Sequence, residues 1–286
     1  MEKLIKIHEV FSEIPTIFGA VIGDIIGSAY EYPYEARTKN PNFTLFTPKS
    51  KFTDDTVLTM AVAKAFLETE SNRELLAERV DFNLKKFRIT YPKRGYGSGF
   101  REWCKGGSNN SLGNGSSMRV SSVAYVAKSE QEVMELAEQV SAVSHAHPEG
   151  ISAAQGVALA IYLSLQRFCK DDIREKVSRV MNNSDLTDPS IYDSQYGKSV
   201  ATSYPSVPQA LACFFSTNNV EEAIRVAVAC GQDADTQADI AAAVACPYYR
   251  QISRQLIEDL PGLPEEFIEI IKEVSKIYGC PIMEII

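Results

Sequence analysis

Two short acidic segments carry the chemistry most legible in this sequence. Thr53-Asp54-Asp55-Thr56 precedes an apolar run ending near Leu67, and Asp233-Ala234-Asp235-Thr236 precedes an Ala-rich run from Gln237 to Cys246. In each, two carboxylates and a hydroxyl stand at the first turn of what reads as a buried helix. A helix cap accounts for either segment alone, because Thr and Asp are favoured there and carboxylates suit the positive helix end. Two such openings in one chain are more than capping requires. If they meet, four carboxylates converge, and protons or cations must offset the repulsion. Hard oxygen ligands select Mg²⁺ or Mn²⁺ over zinc or copper. A carboxylate-bridged pair of such ions can polarise a leaving oxygen and activate water. Asp239, one turn beyond Asp235, adds a further acid to the second segment.

Three other constellations could complete a site. Gly113-Asn114-Gly115-Ser116-Ser117-Met118-Arg119 leads small residues into a helix, an opening that offers backbone N–H groups and a positive dipole to an anion. An ordinary capped turn explains it equally well in isolation; beside a metal site a pyrophosphate cradle fits better. Ser144-His145-Ala146-His147-Pro148-Glu149 holds two of the three histidines. Their i, i+2 spacing does not suit a helical metal site, which leaves a hydrogen bond to a substrate hydroxyl or phosphate, or a cap. Gly19, Gly23 and Gly27 line one helical face and permit close packing, Asp24 among them needs a partner if buried, and Glu31 follows where a loop could swing it over a site. Trp103, Tyr96 and Phe100 could stack a base or simply pack.

The elements that must position these residues read as helices almost throughout. Apolar periodicity predicts helices over 56–67, 73–87, 131–143, 150–168, 171–181, 207–215, 220–229, 235–245, 250–260 and 265–278. No convincing run of alternating strands appears, so the expected fold class is all-α. Irregular stretches at 31–52, 91–115 and 182–205 interrupt the helices, and loops this long inside a compact domain are usually functional or disordered. Residues 1–16 read as a short amphipathic extension and 17–286 as one domain. The 286 residues are 45% apolar with a net charge of −8, which argues against bulk nucleic acid as partner. Six cysteines without a CxxC pair suit a reducing compartment, read as the cytoplasm, and a monomer is the default. Neither a signal peptide nor a membrane-spanning apolar run is expected.

Taken in order, the T-D-D-T and D-x-D-T pair, the GDxxG…E stretch, GNGxxMR and the SH…P-E-G stretch resemble the ADP-ribosylglycohydrolase family from Gly19 to about Tyr249. The resemblance implies an all-α single domain, an orthogonal helical bundle, with two Mg²⁺ or Mn²⁺ ions held by Thr53, Asp54, Asp55, Asp233, Asp235 and Thr236. It implies that Glu31 lies on a mobile loop at the metals, that Ser111, Leu112, Gly113, Asn114 and Gly115 hold a diphosphate, and that His145 lies beside the ADP-ribose. Met118 and Arg119 share the motif and are expected to pack. The implied chemistry is hydrolysis at C1″ of the distal ribose through an oxocarbenium-like transition state, with Glu31 and Asp55 handling protons. The implied partner is an ADP-ribosylated protein, arginine-linked first, or an ADP-ribosyl small molecule. A serine-, nucleobase- or metabolite-linked substrate, or a non-catalytic binding role, are the alternatives. The sequence departs from the family pattern at Gln232 and Arg250, where glycines are usual, at Asp239, commonly a small residue, and in the Ala- and Cys-bearing stretch 241–246. No expected ligand is missing.

Overall fold

A computed structural model describes residues 4–31, 40–196 and 200–286. Residues 1–3 of the expected extension, 32–39 of the first irregular stretch and 197–199 of the third therefore lie outside the described residues. Fourteen α-helices occur among the described residues: α1 (Gly19–Gly27), α2 (Asp54–Glu68), α3 (Leu76–Thr90), α4 (Ser98–Trp103), α5 (Gly115–Met118), α6 (Ser121–Val126), α7 (Glu130–Ala142), α8 (Pro148–Leu165), α9 (Lys170–Val180), α10 (Ser203–Phe215), α11 (Val220–Cys230), α12 (Ala234–Tyr249), α13 (Arg254–Glu258) and α14 (Glu265–Tyr278). The all-α reading holds. None of these helices is long and apolar enough to cross a membrane.

The centre of the fold is α12, buried from Ala234 to Pro247 and flanked by α1, α8, α10 and α11. Its Ala-rich sequence suits this place, since small side chains let several helices approach one axis. The closest approach is to α1. A Cβ on Gly23 would lie 2.1 Å from the Ala238 carbonyl oxygen, and one on Gly27 would lie 2.3 Å from that of Ala234. The glycine stripe is therefore a packing surface, as its four-residue spacing predicts. Cys246, one of the departures in α12, meets the same stripe, with its Cβ 3.0 Å from where a side chain on Gly19 would begin.

Among the described residues, five short strands link the N-terminal and C-terminal segments. β1 (Leu4–Ile5) pairs antiparallel with β4 (Leu263–Pro264), and β5 (Ile282–Ile285) lies between β2 (Ile14–Pro15) and β3 (Gln251–Ile252). Strands this short show no alternation, which is why the sequence does not signal them. Ile7 and Ile14, both fully buried, add core contacts to the N-terminal segment. The helix expected over 250–260 shrinks to α13 for a local reason: Arg250 ends α12 in the left-handed region at φ 55°, and Gln251–Ile252 then pairs with β5. Arg250 Nη2 donates to the Leu165 carbonyl at 3.0 Å, which offsets part of the roughly 1–2 kcal/mol cost of that conformation for a residue with a Cβ.

Candidate metal centre

The two acidic segments meet. Thr53 is the N-cap of α2, its Oγ1 accepting from the Asp55 N–H at 3.2 Å. Asp24 on α1 completes the cap. Its Oδ1 accepts from Thr53 Oγ1 at 2.7 Å, and its Oδ2 accepts from the N–H groups of Thr53 and Thr56 at 2.9 and 3.1 Å and from Thr56 Oγ1 at 2.5 Å. This is the partner that a buried acid in an apolar helix requires. Because α1 lies against α12, Asp24 also locks the start of α2 beside the start of α12. Asp233 precedes α12 but makes no capping bond; its Oδ2 instead accepts from Asn114 Nδ2 at 2.7 Å. The cap explanation thus holds for Thr53 and fails for Asp233.

Two groups of carboxylates result. Oxygens of Asp24, Asp55 and Asp235 lie within 4.8 Å of one another, as do oxygens of Glu31, Asp233 and Asp235. Asp235 belongs to both and so can bridge two ions. Asp55, 3% exposed, leaves its Oδ2 without a hydrogen-bond partner. An orphaned buried carboxylate oxygen among hard oxygen donors fits a divalent cation. Asp54 joins neither group but lines the same cavity. Thr236 also lines it, whereas Thr53 stands behind it with its hydroxyl engaged by Asp24 and Asp55.

Burial pushes the carboxyls of Asp55 and Asp235 well above the usual range, and the neighbouring acids push further: Asp235 foremost on Asp55, and Asp233 foremost on Asp235. Asp54 is raised in the same way, with Asp24 its first charged neighbour. Asp239 is buried behind the centre with both carboxylate oxygens unpartnered, and desolvation followed by the Asp24 charge raises it strongly. Such a cluster holds protons until cations displace them.

The cavity, about 290 Å³, extends from these acids to the Gly113–Gly115 loop, with Gly95–Phe100 on another side. The loop is sewn down at both edges. Ala146 N–H donates to the Asn109 carbonyl at 2.7 Å, Asn114 N–H to the Ala201 carbonyl at 3.2 Å, and Ser203 Oγ to the Gly113 carbonyl at 2.8 Å. A Cβ on Gly115 would sit 3.2 Å from His145 Nε2, so the glycine keeps the loop open to the ring. Ser111 and His145 line the cavity; Leu112 does not, its side chain being 44% exposed and its carbonyl accepting from Ser203 N–H. α5 is a single turn, so the expected dipole contribution is small, and an anion at this end of the cavity would meet chiefly the loop backbone. His147 is a cap, accepting from Glu149 N–H at 3.2 Å. Of the three aromatics, Phe100 lines the cavity, while Tyr96 and Trp103 are buried beside it.

Comparison with known proteins gives the family. The family model for ADP-ribosylglycohydrolase matches residues 14–279. The chain belongs to the ADP-ribosylglycohydrolase family. Among its relatives, ADP-ribosylhydrolase ARH3 of Homo sapiens is 26% identical, covering 81% of this chain and 83% of the relative. ADP-ribosylhydrolase ARH3 of Gallus gallus is 24% identical, covering 90% and 89%. A solved structure titled ADP-ribosylglycohydrolase-related protein complex superposes with a TM-score of 0.58 at 17% identity, covering 93% of this chain and 94% of that one; this supports the fold.

Within the family pattern, the departure at Gln232 is locally harmless: of the two positions before Asp233, Gly231 alone adopts a left-handed φ, of 71°. Asp24, Ser144 and the rim residues Gly95, Gly97, Ser98 and Gly99 enter the site without having been assigned a role from sequence, whereas Phe100 is one of the aromatics read there as stacking or packing. A buried acid within a glycine stripe was the one available signal for Asp24. For the rim the signal was its place in the irregular stretch 91–115; Gly95 itself is marked only by its φ of 98° and its closeness to Asp54.

Proposed function

We propose that the protein hydrolyses the glycosidic bond joining ADP-ribose to a modified acceptor, with an ADP-ribosylated arginine side chain as the first acceptor to test. The observation that carries this reading is the convergence of the two carboxylate groups on Asp235 at one end of a cavity whose other end is the Gly113–Gly115 loop and His145. A diphosphate held by the loop would reach the acids with its distal ribose. Asp54, Asp55, Asp233, Asp235 and Thr236 would hold two Mg²⁺ or Mn²⁺ ions, with Thr53 supporting the start of α2. When bound, such a pair orients vicinal sugar hydroxyls, stabilises developing negative charge and favours deprotonation of water.

The chain's own residues do the rest. Asn114 bridges loop and acids, its Nδ2 donating to Asp233 and, at 3.1 Å, to Ser206 Oγ, so diphosphate and ribose ends are held in one register. Glu31 and Asp55 stand where a carboxylate can take a proton from attacking water or return one to the leaving group. The carboxylates around C1″ suit an oxocarbenium-like transition state electrostatically.

Calorimetric titration of ADP-ribose with Mg²⁺ or Mn²⁺ and then with EDTA, followed by turnover of ADP-ribosyl-arginine and ADP-ribosyl-serine peptides, tests this. Metal-dependent binding with release of ADP-ribose from the arginine peptide is expected. Turnover of the serine peptide alone would replace the acceptor. Absence of ADP-ribose binding under every metal condition would overturn the proposal.

A further inference from the structure

Arg119 is the one charged group lining the cavity that the reading above leaves unused. It is fully buried and has no salt bridge among the described residues. Its Nη2 donates to Ser144 Oγ at 2.7 Å, while Nε and Nη1 have no partner among the described residues. Burial lowers its pKa to about 9, so it remains a cation at neutral pH. A buried cation without a counter-charge is costly, which calls for a reason to keep it. Ser144, itself buried, places the same Oγ 2.8 Å from His145 Nδ1.

The hydrogen-bonding capacities of the three side chains dictate where the protons lie. A guanidinium offers donors only, so Arg119 occupies a lone pair of Ser144 Oγ and cannot take its proton. The acceptor within reach of that hydroxyl, among the described residues, is His145 Nδ1. Nδ1 therefore accepts, and the single proton of the neutral ring belongs on Nε2. Burial, and then the Arg119 charge, hold His145 well below the usual histidine range, which keeps the ring neutral. Nε2 points at the loop, 3.4 and 3.2 Å from where Cβ atoms on Gly113 and Gly115 would sit.

We propose that Arg119 and Ser144 are positioning residues that lock His145 as the Nε2–H tautomer, so that a hydrogen-bond donor faces the ligand held over the Gly113–Gly115 loop. The matching ligand atom is an acceptor oxygen, of a phosphate or a sugar, and this part rests on the reading that the loop holds ADP-ribose. Guanidinium, hydroxyl and imidazole form one relay whose product is the polarity of a single ring nitrogen.

The test needs no ligand at first. The protein is labelled with ¹⁵N-histidine, and long-range ¹H–¹⁵N spectra are recorded at neutral pH, with His145→Gln giving the assignment. Wild type is expected to show His145 as a neutral Nε2–H ring. An Nδ1–H ring or a doubly protonated ring at His145 would overturn the proposal. Ser144→Ala is then expected to leave the fold intact, mix the tautomers and weaken ADP-ribose binding in Mg²⁺ roughly fivefold to tenfold, as loss of a hydrogen bond of ordinary strength does. A Ser144→Ala protein with wild-type spectrum and wild-type affinity would also overturn it, since a merely structural serine moves neither. If wild type fails to bind ADP-ribose, the functional reading fails, whereas the tautomer is still decided by the ligand-free spectrum.

Discussion

At the scale of single residues, the centre sets function against stability. Asp55 and Asp235 are buried, nearly unexposed and mutually repulsive, and their raised pKa values mean that ionising them opposes folding. A cation reverses that sign, because it binds the ionised form. Replacing either with asparagine should therefore have two opposite effects. Turnover should fall by roughly a hundredfold or more, the scale on which removing a group that stabilises transition-state charge acts. In EDTA at neutral pH, the thermal midpoint should rise. Steady-state kinetics beside thermal melts of Asp55→Asn and Asp235→Asn check both, and near-normal kcat would contradict the role assigned to these acids. Asp239 shares the burial but not the cavity, so Asp239→Asn should raise the EDTA midpoint with much smaller loss of turnover.

At the scale of elements, the site depends on how closely α1 approaches α12. Asp24 can cap α2 only because Gly23, its chain neighbour, lets the two helices nearly touch. A methyl group there would meet the Ala238 carbonyl carbon at 2.4 Å and the Asp239 nitrogen at 2.6 Å, atoms of backbone that cannot rotate away. Gly23→Ala should force the helices apart at a cost of about 1–3 kcal/mol, the usual penalty for overpacking. The displacement should carry Asp24 away from Thr53 and Thr56 and loosen the acid cluster. Chemical denaturation measures the first effect and Mg²⁺ titration the second; a Gly23→Ala protein as stable as wild type with unchanged metal affinity would refute the account. The single-turn α5 is held differently, by Thr59 Oγ1 donating to the Met118 carbonyl at 3.2 Å and Ser116 Oγ to the Gly150 carbonyl at 3.1 Å. Its place is thus set by α2 and α8 rather than by its own helical stability.

At the scale of the whole molecule, the buried acids couple folding to pH and to metal. Their folded-state pKa values lie above those of the unfolded chain. The stability they permit is therefore greatest while they stay protonated, and it falls as pH rises through the raised values. His145 acts at the other end: its depressed pKa means that stability is lost as pH falls below the ordinary histidine value of 6.5, where the unfolded ring takes up a proton that the folded ring refuses. Melts in EDTA between about pH 5 and pH 9 should thus show stability declining on the alkaline side. Mg²⁺ should restore it, by about 2.7 kcal/mol at a hundredfold excess over Kd, and more strongly at higher pH, where fewer protons compete. A flat profile with no response to Mg²⁺ would mean that these carboxylates neither titrate nor bind metal as argued.

Local chemistry was readable from the chain because it is governed by near neighbours. Helical periodicity, the Thr53 cap, the glycine spacing of α1 and the paired acids at the starts of α2 and α12 each depend on residues a few positions apart, and the structure repeats them with small shifts of boundary. The short helices α4 and α6 and the strands of two to four residues were not readable, since neither spans enough residues to show a period. Convergence belongs to the tertiary structure. Asp55 and Asp235 stand far apart along the chain, and nothing in either segment encodes their meeting; the packing of α1 on α12 decides it. The same holds for Arg119, Ser144 and His145, where a packing arginine and a helix-flanking serine become a relay only when α5 and the α7–α8 turn are pressed together. Sequence determines which groups can do chemistry, because reactivity is a property of side chains. Distance and desolvation, which decide whether they do, arise only when the helices close around them.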